Sequence, residues 1–160
     1  MSRTDSIFVF KATVPEEREA CFAIRREVFV EEQKVPLEIE LDEHEDEALH
    51  FLALHDKKSI GTARVLLKDD GLVAKIGRVA VLASHRGQGV GLAIMQAVEA
   101  DPIVREAARL VLHSQTHALP FYKKLGYQIS GEEFIEDGIP HYFMSKDNRE
   151  VIRSLKAHAG

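Results

Sequence analysis

Residues 78–91 read Arg78-Val79-Ala80-Val81-Leu82-Ala83-Ser84-His85-Arg86-Gly87-Gln88-Gly89-Val90-Gly91. The opening is apolar and β-branched, as a strand requires. The end carries three glycines at alternate positions. Beyond it, Val90, Ile94, Ala97 and Val98 keep the i, i+4, i+7, i+8 spacing of a helix. A strand therefore runs through a glycine turn into a helix. With no Cβ on the outside of the turn, backbone amides can face outward together, and the helix N-terminus adds partial positive charge. That is a cradle for a pyrophosphate, with Arg86 as a fixed cation beside it and His85 as one that switches with pH.

Two familiar phosphate loops do not match. The spacing is G-x-G-x-G, whereas a dinucleotide fingerprint needs G-x-G-x-x-G and an acid about 20 residues later, where this chain has Val111 and Leu112. A P-loop needs a Lys after its last glycine, and none follows.

Upstream of the turn, Ile7–Lys11 reads as a short strand. Thr13-Val14-Pro15-Glu16 reads as a helix start, with Thr13 capping, Glu16 three residues on and Pro15 in the first turn. Ala20, Ile24, Glu27 and Val28 continue that helix, and a second short one covers Val28–Gln33 and ends at Pro36. Residues 38–47 hold seven carboxylates and read as a solvated loop, whose charge would also draw a cationic amine. Ala48–His55, Ser59–Leu67 and Leu72–Val81 read as three antiparallel strands, the last two joined by the hairpin turn Asp69-Asp70-Gly71.

Downstream, Leu110–His113 reads as a strand. Ala118, Phe121, Tyr122 and Leu125 mark a helix, with Gly126 at its C′ position. Strands near Tyr127–Ile129 and His141–Met144 flank the turn Asp137-Gly138, and Asp147–Ala159 forms a surface helix. The order β-α-α-β-β-β-α-β-α-β-β describes an α/β (α+β) domain around a mixed, mostly antiparallel sheet flanked by helices. The expectation is one domain over 1–160, with 147–160 as its tail.

Composition narrows the function classes. With 45% apolar and 29% charged residues the chain is an ordinary globular one, and no apolar run approaches a membrane span. A net charge of −5 with no basic block argues against nucleic acid. The lone Cys21 fits a reducing compartment and a small core residue rather than a nucleophile. The apolar stretch Ile7–Phe10 is too short for a secretory leader, so the cytoplasm is expected. His44-Glu45 is followed by Ala48 where a metal-binding H-E-x-x-H needs a second His, so no metal is expected. No G-x-S-x-G occurs.

The R-x-x-G-x-G spacing of Arg86, Gly89 and Gly91 resembles the acyl-CoA signature of the GNAT (GCN5-related N-acetyltransferase) superfamily. Pro120-Phe121-Tyr122-Lys123-Lys124-Leu125-Gly126-Tyr127 resembles that family's later F-Y-x-x-L-G-[FY] motif. Arg26-Glu27-Val28-Phe29-Val30-Glu31-Glu32-Gln33, with Val35-Pro36 and Gly138-Ile139-Pro140-His141, is similar to the bacterial ElaA-like and YjcF-like subgroup. The resemblance implies an N-acetyltransferase that takes acetyl-CoA as cosubstrate and passes its acetyl group to a small-molecule or peptide amine in a ternary complex. It also implies a splay between the fourth and fifth strands to admit the thioester. Homodimers are common in the superfamily, so that state stays open.

By the same likeness, Val79, Ala80 and Val81 would pair with the pantetheine arm. Arg86, Gly87, Gln88, Gly89, Val90 and Gly91 would hold the pyrophosphate, while Gln115, Phe121 and Lys124 would border the cofactor. Tyr122 would protonate the leaving thiolate, since a phenol stays protonated at neutral pH. Many relatives draw a general base from a Glu in the strand before the glycine turn, but Lys75–Val81 contains no acid. Glu32, His113 and His141 are the substitutes, although His113, in an apolar strand, also reads as a buried structural histidine. Gln115-Thr116-His117 stands where relatives often carry a cofactor-contacting Asn. The missing acid keeps a second reading open, an acyl-CoA-binding sensor without turnover.

Overall fold

A computed structural model describes residues 7–159. The leader reading rests partly on residues 1–6 and the tail reading on residue 160, which lie outside the described residues. The strands are β1 Ile7–Ala12, β2 Leu49–His55, β3 Lys58–Lys68, β4 Val73–Val81, β5 Arg109–Gln115, β6 Gln128–Glu136 and β7 Ile139–Asp147. The helices are α1 Pro15–Arg25, α2 Leu37–Glu40, α3 Val90–Ala100, α4 Leu119–Lys124 and α5 Arg149–Ala159. The seven strands take the sheet order β1-β2-β3-β4-β5-β7-β6. The β1–β2, β2–β3, β5–β7 and β6–β7 pairs are antiparallel and β4–β5 is parallel. This is the mixed, mostly antiparallel sheet expected from the element order.

The described residues form two compact units, 7–66 with 78–101 and 67–77 with 102–159. In the first, Ala12, Cys21, Ile24, Val28, Leu52, Ala80 and Leu82 make one buried apolar cluster, with Phe10, Phe29 and Leu54 packed against it. Burial pushes the Cys21 thiol above its ordinary value, and its Sγ donates to the Phe51 carbonyl at 3.5 Å, so it serves as a core residue. Val90, Ile94, Met95 and Val98 turn one face of α3 inward, as their spacing required.

Gly61 lets α3 approach β3. A Cβ built there would stand 2.8 Å from Ile94 Cδ1 and 3.2 Å from the Ala80 carbonyl oxygen. Gly61→Ala is therefore expected to cost about 1–3 kcal/mol through overpacking, read as a lower denaturation midpoint with an unchanged slope.

The start of α1 sits one residue later than the sequence suggested. Val14 is the N-cap, and Glu17 rather than Glu16 turns back, its Oε1 accepting from the Thr13 N–H at 2.9 Å and the Val14 N–H at 3.4 Å. Thr13 loses the capping role because Pro15 falls at the first helical position, which sets the cap at the residue before it. The second short helix is also different. Residues Arg26–Glu32 continue α1 directly as a widened π-helical turn, with the Gln33 N–H bonded to the Val28 carbonyl.

In the second unit, the β4–β5 ladder runs from Val73↔Arg109 to Ile76↔Leu112. β4 continues to Val81 and β5 to Gln115. Gly126, at φ 100°, closes α4, and the Tyr127 N–H returns to the Tyr122 carbonyl at 3.1 Å. Asp137 (φ 53°) and Gly138 (φ 77°) make the left-handed two-residue turn that joins β6 to β7. Among the described residues no helix is long and apolar enough to cross a membrane.

Candidate functional site

Gly87 and Gly89 both adopt left-handed backbone, at φ 77° and 83°, and a Cβ on either would meet nothing within 4 Å. Gly89 is the N-cap of α3 and has no side chain to cap it. The first N–H groups of a helix lack intrahelical acceptors. Left-handed residues alternating with ordinary ones turn successive amides into one concavity, which suits an anion. Gly87, Gln88 and Gly89 are exposed and Val90 is buried, so the helix is anchored while the turn faces solvent.

The cation expected beside this turn is already engaged. Arg86 donates from Nη2 to Glu32 Oε1 at 2.6 Å and from Nη1 to Glu32 Oε2 at 3.0 Å, and its Nε donates to the Val81 carbonyl at 2.8 Å. The hydrogen bond from Arg86 holds the Glu32 carboxyl below the ordinary carboxylate range. Glu32, a candidate base, is thereby made a weaker one. The pair also cancels most of the charge that Arg86 would offer an anion, so the attraction of the turn rests on its backbone amides. His85 is occupied as well, with Nδ1 2.8 Å from Ser84 Oγ and Nε2 3.3 Å from His55 Nδ1.

Tyr122 is 8% exposed on α4, edge-on to Phe121 and Tyr127. Burial pushes its phenol up to about 12. It therefore stays protonated at any physiological pH, but a phenol there is a much weaker acid than a thiol, whose ordinary value is about 8.5. Full proton delivery to a thiolate is disfavoured, and donating a hydrogen bond is what this group can do. Phe121 is half-buried and Lys124 exposed, while Gln115 accepts from His117 Nε2 at 2.8 Å.

The structure brings His113 and His141 together around a residue the sequence reading missed. Glu136, at the end of β6, places its carboxylate oxygens 3.1 and 3.3 Å from His113 Nδ1 and 3.8 Å from His141 Nε2. Phe134 packs edge-on to His113 and stacks on His141. The hydrogen bond from His113 holds Glu136 below its ordinary range. Glu136 was legible only as the residue before the Asp137-Gly138 turn; hairpin pairing then sets β6 beside His141.

The acidic segment 38–47 is not simply solvated. Glu40 and Arg25 are buried at 2% and 0% exposure. Arg25 Nε donates to Glu40 Oε2 at 2.7 Å, and Nη1 and Nη2 grip the two oxygens of Glu45 at 2.9 and 2.7 Å. Arg64 Nη1 reaches Asp42 at 2.9 Å and Glu45 at 3.0 Å. Arg78, in β4 at φ 51°, contacts Glu40 at 3.2 Å and Asp42 at 3.4 Å. So acids do come to the strand that has none of its own, but arginines hold them. No sequence-local signal pairs these groups, because their partners lie far apart in the chain.

The model of the acetyltransferase (GNAT) domain matches residues 12–148. The chain belongs to the GNAT acetyltransferase family. Among the relatives of this GNAT protein, the uncharacterized N-acetyltransferase YjcF of Bacillus subtilis (strain 168) is 44% identical over 133 residues, covering 82% of this chain and 94% of its own. Protein ElaA of Escherichia coli (strain K12) is 34% identical over 138 residues, covering 84% and 88%. The crystal structure of Escherichia coli ElaA superposes with a TM-score of 0.74 at 27% identity, over 88% of this chain and 99% of that one. An acyl-CoA N-acyltransferase from Pseudomonas aeruginosa gives 0.72 at 29%, over 88% and 97%. The subgroup resemblance carried by Arg26–Gln33 and Gly138–His141 is thus matched by YjcF and ElaA themselves. Family membership supports acyl-CoA-dependent acyl transfer in general.

Proposed function

We propose that this protein transfers an acetyl group from acetyl-CoA to a primary amine by direct attack in a ternary complex. The observation that carries the reading is the pair of left-handed glycines, Gly87 and Gly89, ahead of α3. In this reading the amides of 87–91 hold the pyrophosphate and the backbone of Val79–Val81 pairs with the pantetheine arm. The likeness to an acyl-CoA N-acyltransferase supports the choice of donor. The matched span takes in residues of both units, which supports one catalytic domain running through the chain.

The substrate ammonium first gives one proton to a base. The neutral nitrogen then attacks the thioester carbonyl, the carbon–sulfur bond breaks, and the nitrogen sheds its second proton as the amide forms. The departing thiolate takes up one proton, so one proton is released per turnover. Tyr122 steadies the developing thiolate through its O–H. The base is a histidine, His113 or His141, because Glu32 is held by Arg86.

Release of CoA thiol against a panel of amines tests the reading. Tyr122→Phe is expected to lower kcat about 100-fold, the usual cost of losing a preorganised donor to developing charge, with little change in the KM for acetyl-CoA. Equal turnover by the two proteins would remove Tyr122 from the chemistry. A second reading, acyl-CoA binding without turnover, is favoured by one observation, that Glu40 and Asp42 are tied to Arg78 and not available at β4. Tight acetyl-CoA binding with no transfer to any amine would select it.

A further inference from the structure

We propose that Glu136 is the positioning residue that makes His113 the general base of the transfer reaction. The proposal rests on the reading above. An ionised carboxylate can only accept hydrogen bonds, so the His113 nitrogen 3.1 and 3.3 Å from its two oxygens must carry the proton. The neutral His113 ring is therefore the Nδ1–H tautomer, with its lone pair on Nε2. Among the described residues the structure gives that Nε2 no hydrogen-bond partner.

The ring is fixed on its other sides. Phe134 meets it edge-on at 5.1 Å between centroids, and Phe143, its neighbour across the β5–β7 ladder, at 5.9 Å. A carboxylate behind one imidazole nitrogen both sets the tautomer and stabilises the imidazolium formed when the other nitrogen takes a proton.

His141 is the less accessible of the two. Its Nδ1 lies 2.7 Å from the Ile139 carbonyl, an acceptor, so Nδ1 is protonated there too. Its Nε2 then points at Glu136 from 3.8 Å rather than at open space, and the side chain is 9% exposed against 25% for His113. Lys75 of β4 also acts on Glu136, adding to the positive field that keeps it ionised.

In the step itself, His113 Nε2 accepts one proton from the substrate ammonium. The freed nitrogen lone pair forms the new C–N bond as the C–S bond breaks, the sulfur leaves with that bond's electron pair and takes up one proton as CoA thiol, the nitrogen sheds its second proton, and Glu136 stays ionised throughout.

The test is a double-mutant cycle read in kcat and KM. Glu136→Gln is expected to lower kcat about 10-fold or more, with KM for both substrates nearly unchanged, and His113→Ala by about 100-fold or more. The combined variant should be no slower than His113→Ala alone, because Glu136 acts on the proton transfer through that ring. An equal further loss in the combined variant would overturn the proposal. Nitrogen NMR of the imidazoles supplies a readout independent of turnover. His113 should show the Nδ1–H form in the native protein and lose it in Glu136→Leu; an unchanged tautomer would also overturn the proposal. If no amine is acylated by the native protein while the tautomer behaves as expected, the positioning contact stands and the transfer reading falls.

Discussion

Gly89→Val is expected to lower acyl-CoA affinity at least about 100-fold in a chain that still folds. A β-branched residue is strained at the φ of 83° found there, so the backbone must either hold that strain, about 1–3 kcal/mol, or leave the left-handed region. Leaving it turns the amides away from the concavity. Staying puts a branched side chain where the anion must approach. The protein itself does not resist the new atom, because a Cβ at Gly89 meets nothing within 4 Å. The loss would therefore come from the ligand side and not from a packing clash. Calorimetric titration with acetyl-CoA, beside a thermal melt of each protein, measures both. Gly71→Ala, also at a left-handed glycine (φ 85°) with open space around it, is the control that should leave affinity unchanged. Native affinity in a folded Gly89→Val variant would remove the turn from cofactor binding.

Arg25→Ala is expected to destabilise the fold by about 3–5 kcal/mol, the range for removing one partner of a buried charge pair. For a chain of this length that is a fall of roughly 6–20 °C in Tm. Glu40, at 2% exposure, and Glu45 would lose the guanidinium that bridges them. Arg25→Lys is expected to rescue little, since an ammonium cannot grip both carboxylates in the same plane.

The pH dependence follows from the same network. Burial alone would raise Asp42 and Glu45, but hydrogen bonds from Arg64 and Arg25 respectively outweigh it and hold both below their ordinary values. Groups lowered in the folded state contribute stability that is present above their unfolded values and lost as pH falls through the folded ones. Native protein should therefore weaken in acid below about pH 4, and the gap between it and Arg25→Ala should narrow there. Urea melts at neutral and acid pH check this. A Tm change of less than about 2 °C at neutral pH would show the cluster to be dispensable.

Much of this was legible without coordinates, where the signal is local. The helical spacing of Val90, Ile94 and Val98, the glycines ahead of it, and the Asp69-Asp70-Gly71 and Asp137-Gly138 turns all depend on neighbours within a few residues, and the structure has each of them. The cap of α1 slipped by one residue because Pro15 and the carboxylates at Glu16 and Glu17 allow two registers, and only the folded helix start selects one. The widening of the helix over Arg26–Glu32 left no periodic trace to read.

By itself, then, the sequence determined the order of the strands and of the main helices, the glycine turn and the kinship that these carry, but not the short helix Leu37–Glu40 that follows Pro36 where a loop was expected. Only the tertiary structure decided which charges meet. It paired Glu32 with Arg86, wrapped Glu40, Asp42 and Glu45 around Arg25, Arg64 and Arg78, and set Glu136 between His113 and His141. Local conformation follows from sterics and spacing a few residues long. A titratable group's behaviour follows from whatever lies within a few ångströms in space, and that neighbour is set by packing rather than by position in the chain.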